Sequence, residues 1–295
     1  RDVERSRGLG DVYKRQMRTC IGLLSATAIS MALLTTPSLA DTLADIKSRG
    51  TLSVGIKNDY PPYGFLNENG EIVGFEVELA KYVANELLGS PDKIELVPVV
   101  ASNRIEFLNS GRIDVIFATL GVTDERKKVI DYTVEYVNSP GPSVFARKEA
   151  KFTEWEQLRG QSLCGIQGSY FNRHLTDAYG IQLVNFTSQP EAYRALMDNR
   201  CVGFVFDDMT LRQALKQSEW ADYKIAVETY EYLPIAGGLR KNDAAFSEAV
   251  NAAIVKAEGE GKLIEWETEF DMPQSDYLVE RAEAARAAAN LSLIH

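Results

Sequence analysis

The sequence predicts an α/β protein of two similar lobes, each with a central, mostly parallel sheet flanked by helices. Three observations predict it. Short apolar strands alternate with amphipathic helices, the two halves of the chain echo each other, and 45% hydrophobic content over 295 residues is enough for a large core.

Taken in order, the chain opens on a segment set apart from the fold. From Met17 it reads as a secretory signal: Arg18, an apolar run over 21–34, Pro37, and the small-residue site Ser38, Leu39, Ala40. Cleavage near Ala40 implies a periplasmic product. Cys20 lies too early in the signal for lipidation beside that site. Residues 1–16 precede the natural start and, like 291–295, are read as non-native. The apolar run is too short for a membrane span, and no later stretch approaches the roughly 20 residues that one needs.

The strand "TLSVGI" (51–56) leads to an amphipathic helix over 74–89 that stops at Gly89, and a strand follows at 93–99. "SNRIEFLNS" is a helix stopped by Gly111, and "IDVIFAT" (113–119) is a strand. Beyond "SPGPSVFARK" the pattern repeats. A strand at 162–167, a helix near 170–178, the strand "IQLVNF", the helix "PEAYRALMDN" and the strand "CVGFVFDD" follow. Such β-α-β units imply right-handed crossovers. Helices at 243–257 and 261–270 have no strand of their own and return to the first lobe. The chain therefore crosses between lobes near 136–141 and 231–236, and two crossings make a hinge. Lobe 1 is 41–137 plus 235–275, lobe 2 is 138–234, and 276–295 is a helical tail.

The formal charge is −10, and loss of residues 1–40, with six basic and three acidic side chains, leaves −13. That repels nucleic acid and anionic lipid. With only His174 and His295, and no Cys/His cluster, a zinc site or a Ser-His-Asp triad has almost nothing to be built from, and no cofactor is expected. Cys164 and Cys201 form an even pair, which in an exported protein favours a disulfide over two reduced core thiols.

"NSGRIDVIFAT" and "DNRCVGFVFDD" both run from a helix end through an arginine into an apolar strand. Each strand ends in a polar group, Thr119 or Asp207, at the edge where open α/β sheets bind ligands. Thr123 suits a helix N-cap, and Asp124 and Glu125 suit its positive end. Arg126 opposes the helix dipole there, by a few tenths to about 1 kcal/mol. A bidentate carboxylate ligand would account for it, and so would an ordinary solvated arginine.

"TLSVGIKNDYPPYGF", "GEIVGFEVELAKYVANEL", "SNRIEFLNSGRIDVIFATLGVTDERKKVIDYT" and "VGFVFDD" resemble the extracytoplasmic solute-binding proteins of polar amino-acid ABC transporters, family 3, over about 50–272. The resemblance implies a type II periplasmic-binding (Venus flytrap) fold that closes over one amino acid. It makes Arg126 the α-carboxylate clamp with Thr119 assisting, and Asp207 the α-ammonium partner from the opposite lobe. The turn of Gln167, Gly168, Ser169 and Tyr170 offers N–H donors, and Tyr60 is an aromatic wall. Two positions depart from the pattern: Gly121 stands where many relatives carry a hydroxyl, and Ala101 stands where some carry a second aromatic. Lys57 and Arg104 match the basic pair that holds a distal carboxylate in glutamate/aspartate binders, so an acidic amino acid is the expected ligand. The arginine of "SNRI" and the cysteine pair also fit broad-specificity or amide binders, and Ile235 stands where an acidic binder has tyrosine.

The implied partner is an inner-membrane ABC permease that reads the closed state of a monomer. Two rival classes share the fold. A cyclohexadienyl dehydratase would need paired carboxylates, but Asp207 and Asp208 are successive residues at a strand end and face opposite ways. A sensory ectodomain would need a second hydrophobic segment.

Overall fold

The computed structural model describes residues 42–292. The expected leader 1–16, the signal 17–40 with Cys20, and the last residues 293–295 lie outside them.

Helix α1 (Thr42–Arg49) precedes β1 (Leu52–Ile56), whose five residues are all buried, as a strand covered on both faces must be. A small antiparallel sheet follows, of β2 (Asp59–Tyr60), β3 (Gly64–Leu66) and β4 (Ile72–Val73). Its strands are too short for a period-two pattern to show in the sequence. Helix α2 (Phe75–Leu88) ends as expected at Gly89, whose φ of 75° lets its N–H reach Asn85 O at 2.8 Å. Next come β5 (Ile94–Pro98), α3 (Arg104–Asn109), β6 (Val115–Phe117), the single turn α4 (Asp124–Lys127), β7 (Asp131–Pro140) and β8 (Pro142–Arg147). The second half runs β9 (Ser162–Ile166), α5 (Asn172–Tyr179), β10 (Gln182–Phe186), α6 (Gln189–Met197), β11 (Gly203–Asp207), α7 (Asp208–Leu215), β12 (Tyr223–Val227) and β13 (Tyr232–Leu239). Helices α8 (Ala244–Glu260), α9 (Lys262–Glu269) and α10 (Asp276–Ser292) complete the described chain.

Two five-stranded sheets organise these elements, in the orders β5-β1-β6-β13-β7 and β10-β9-β11-β8-β12. The halves echo each other as expected. In the first sheet β1 is parallel to β5 and β6; in the second β9 is parallel to β10 and β11. The other pairings are antiparallel, so each sheet is mixed rather than mostly parallel. The cause is the way the chain changes sheets. Strands β7 and β13 lie side by side from Tyr232 opposite Pro140 to Leu239 opposite Asp131, and β7 passes through Gly141 straight into β8. These strands return through the sheets without a helical crossover.

Helices α8 and α9 pack on α2, with the Trp266 ring edge-on to Phe75 at 6.1 Å. The tail helix α10 lies on α8. Arg281 donates to both oxygens of buried Glu258, at 2.5 and 3.0 Å, Leu278 and Ala282 are buried, and Tyr277 Oη donates to Glu135 O at 3.3 Å. The tail is thus part of the first lobe's packing, a role that its sequence alone did not suggest.

Cys164, in β9, and Cys201, just before β11, form a disulfide with a Cα–Cα separation of 5.5 Å, at the opposite end of β11 from Asp207. It closes a loop of 37 residues, for which chain entropy gives about 4 kcal/mol. The Cys164→Ser/Cys201→Ser double variant should lose stability of that order in urea unfolding. An unchanged midpoint would show that the bridge contributes nothing.

Candidate functional site

The C-terminal ends of β1, β6, β9 and β11 converge on one cavity between the two sheets. Eight of the expected residues line it: Lys57, Tyr60, Arg104, Thr119, Gly121, Ser169, Tyr170 and Asp207. Arg126 and Gly168 do not. They line an adjoining groove that shares Ser169 and Tyr170 with the cavity.

The reason lies in helix α4. Thr123 caps it, accepting from Arg126 N at 3.3 Å, as expected. The helix is only four residues long, however, so Arg126 stands in its last turn as much as its first, and the expected conflict with the dipole is absent. Its guanidinium donates instead to Gly121 O at 2.9 Å and Gly168 O at 3.1 Å. Burial pulls its pKa down.

Arg104 is 4% exposed and donates to Ala118 O and, at 3.2 Å, to Thr119 O. Burial first, then repulsion by Arg126, brings its guanidinium down to about 9. Its Nε is buried and has no hydrogen-bond partner. Thr119 has a φ of 49°, a left-handed conformation that costs a β-branched residue on the order of 1–3 kcal/mol. Glu76 holds it there: Oε1 accepts Thr119 N–H at 2.7 Å and the Tyr136 hydroxyl at 2.6 Å. Glu76 is wholly buried, and burial outweighs these bonds and the attraction of Arg104 and Lys57, raising its pKa to about 7. The sequence held a signal for it, since Glu76 falls on the apolar stripe of α2 with Leu79, Ala80 and Val83.

Lys57, 3% exposed, is already paired. Asp59 Oδ1 lies 3.0 Å from its ammonium, which also donates to Val99 O at 3.3 Å. Asp59 was not anticipated, although it follows Lys57 by two residues. Among the residues lining the cavity, Lys57 and Arg104 are balanced by Asp59 and Asp207. The Tyr60 ring packs at 4.8 Å on Phe206 from the second lobe, so a second aromatic is present, but on β11 and not at Ala101.

Asp207 caps α7 through Thr210 N at 3.3 Å and accepts the Ser139 hydroxyl at 3.0 Å, and Ser139 Oγ lies 3.0 Å from the Tyr63 hydroxyl. Burial raises its pKa to about 7. Asp208 turns away to Arg212 Nε at 2.7 Å, so the two carboxylates do not share a substrate atom. Gly121 has a steric reason: a Cβ there would lie 2.3 Å from Leu233 Cδ2. At Gly168, with φ +86°, a Cβ would lie 2.9 Å from the backbone of Ala101 and Ser102, so the lobes meet main chain to main chain. Among the described residues no group of three or more His, Cys, Asp or Glu is placed to hold a metal.

Residues 52–270 match the bacterial extracellular solute-binding proteins, family 3. The chain belongs to that family. Its fold is accordingly the Venus flytrap. This family 3 protein is 32% identical to the glutamine-binding protein of Geobacillus stearothermophilus, over 71% of this chain and 80% of that one. It is 27% identical to the L-glutamate/L-aspartate-binding protein of Pseudomonas aeruginosa, over 84% and 86%. Among solved structures it resembles the solute receptor for L-cysteine of Neisseria gonorrhoeae, with a TM-score of 0.73 and 31% identity over 77% of this chain and 92% of that one.

The buried Glu76 carboxyl generates a pH prediction. Its pKa is raised from 4.5 to about 7 in the folded protein, so its stabilising contribution is complete below 4.5 and is lost as pH rises through 7. Between those values the protein should lose about 3 kcal/mol relative to Glu76→Gln, in urea unfolding run at each pH. Parallel profiles for the two proteins would contradict it.

Proposed function

We propose that this protein is a periplasmic receptor that binds one amino acid between its lobes and presents it to an inner-membrane ABC permease, without chemical turnover. The observation that carries this reading is the convergence of buried opposite charges from the two lobes on one cavity. A zwitterion taken out of water needs a partner for each charge. Asp207, with Ser139 behind it, would take the ammonium. Arg126 would clamp the carboxylate: from the adjoining groove it donates to Gly121 O, whose residue lines the cavity, and to Gly168 O, and it uses only some of its five N–H donors on carbonyls that a carboxylate can replace. Thr119 and the turn at Gly168, Ser169 and Tyr170 would assist. Partners drawn from both lobes make ligand binding favour closure, about crossings that separate lobe 1 (41–137, 235–275) from lobe 2 (138–234).

Once both ligand charges are paired, Lys57, Arg104, Asp59 and Glu76 remain, and their formal charges cancel. A neutral polar side chain fits that balance, so we place an amide ligand such as glutamine ahead of glutamate. The names of the relatives span both. The acidic reading keeps one observation in its favour, the nearness of Lys57 and Arg104, and needs a proton on Glu76 to hold.

In a thermal-shift panel of the twenty amino acids with arogenate and prephenate, glutamine should give the largest stabilisation, about 2.7 kcal/mol at 100 times Kd. Shifts confined to glutamate and aspartate would reverse the order, and turnover of arogenate or prephenate would overturn the receptor reading. Asp207 sets the pH dependence. Its pKa of about 7 means that below neutrality the ammonium must displace a proton, so affinity should rise by up to about tenfold per pH unit from pH 5 to 7 and then level off. Calorimetry should show Asp207→Asn losing both affinity and slope; an unaltered profile would remove Asp207 from the site.

A further inference from the structure

Helix α7 makes contacts at both of its ends, and the receptor reading uses only one of them. At its start Asp207 is the cap, and Asp208 N–H donates to Gly141 O at 3.1 Å, in the turn between β7 and β8 where the chain changes sheets. Leu211 is wholly buried, and Arg212 donates to Asp208 at 2.7 Å and pairs with Glu228, so the helix is fixed to the second lobe. Its far end reaches the first lobe. Gln213 Nε2 donates to Phe270 O at 3.3 Å and to Asp271 O at 3.0 Å, while Lys216 Nζ donates to Asp271 O at 3.2 Å and pairs with the Asp271 carboxylate.

These contacts have a physical cause in α9. A helix leaves carbonyls without partners at its C-terminus and carries a partial negative charge there. The carbonyls of Trp266, Glu267 and Thr268 accept N–H groups from the turn that follows, but those of Phe270 and Asp271 accept from α7. Asp271, at φ 52°, adds a carboxylate to this negative end, and Lys216 brings the cation that offsets it. Helix α9 itself is held to the first lobe, with Trp266 edge-on to Phe75 and Phe270 edge-on to Phe65 at 6.4 Å. The second lobe thus caps a first-lobe helix. None of Gln213, Lys216, Phe270 and Asp271 lines the cavity.

The contact is placed to respond to lobe rotation. At 1.5 Å per residue, Gln213 and Lys216 lie roughly 7.5 and 12 Å along the helix from Asp208, which is bonded to the crossing at Gly141. A rotation about that crossing displaces the far end of α7 more than its start, and hydrogen bonds tolerate only about a few tenths of an ångström. Resting on the receptor reading, we propose that Gln213 and Lys216 are positioning residues for ligand binding. By capping α9 they favour the lobe arrangement seen here before any ligand enters, and so scale the affinity for every amino acid by one common factor. Because they touch no ligand, they leave the order of preference among amino acids unchanged.

The test uses the full-length mature protein with spin labels at two exposed positions, one in each lobe (Asp92→Cys and Glu149→Cys), together with calorimetry on glutamine and glutamate. Without ligand, the Gln213→Ala/Lys216→Ala double variant should move a share of the interlobe distances to longer values, and saturating glutamine should restore the short ones. The same variant should weaken glutamine and glutamate alike, by about three- to fivefold each. Lys216→Arg, which keeps the cation, should stay within about twofold of wild type. An unchanged distance distribution, a rise in affinity, or a loss confined to one of the two ligands would overturn the proposal. A wild-type protein that binds no amino acid would overturn the receptor reading instead, and the ligand-free distances would still decide whether the α7 contact holds the lobes.

Discussion

Charge buried between the two sheets must be compensated, and the rest of the cleft follows from how that is done. Each first-lobe cation has a partner close to hand: Lys57 has Asp59, Arg104 has main-chain carbonyls with Glu76 nearby, and Arg126 has Gly121 and Gly168. Asp207, from the second lobe, has hydroxyl and N–H donors only, and burial leaves it half-protonated near neutrality. The site is therefore preorganised on its cationic side and held short of full ionisation on its anionic side. A ligand ammonium would correct that imbalance.

The same economy links recognition to lobe position. Contacts between the lobes near the cavity include Arg126 with Gly168, Asp59 with Gln189, and Tyr60 with Phe206, and at the rim Glu125 pairs with Arg173 at 2.6 Å. Away from it, α7 reaches the chain after α9, where Gln213 Nε2 donates to Asp271 O at 3.0 Å. The rim pair is exposed and contributes little. Tyr60 with Phe206 is buried and Asp59 with Gln189 is part-buried, and all four of these residues line the cavity. Ligand chemistry and closure thus draw on the same side chains.

Much of this was legible in the sequence, for identifiable reasons. Gly89, the Thr123 cap and the echo between 109–119 and 198–208 are local signals, and local physics decides them. The cysteine pair followed from compartment and parity. What escaped was set by distance in the chain. Glu76 matters because α2 brings its carboxyl to the Thr119 N–H, 43 residues on, and Gln189 meets Asp59 across 130 residues, whereas Asp59 beside Lys57 was a local signal left unread. The expected conflict between Arg126 and a helix dipole does not arise in a one-turn helix, while its expected role as carboxylate clamp came from the family resemblance. The sheets proved mixed because the chain leaves the first sheet from β7 directly into β8 and re-enters it along β13, so β8 and β13 run antiparallel to their neighbours, which no single strand's pattern reveals.

The central claim is that opposite charges from the two lobes hold a single zwitterion. A crystal structure of the protein with bound glutamine tests it most directly. The predicted result has the ammonium on Asp207 and the carboxylate on Arg126. Glutamine bound with its ammonium away from Asp207, or with its carboxylate away from Arg126, would contradict it.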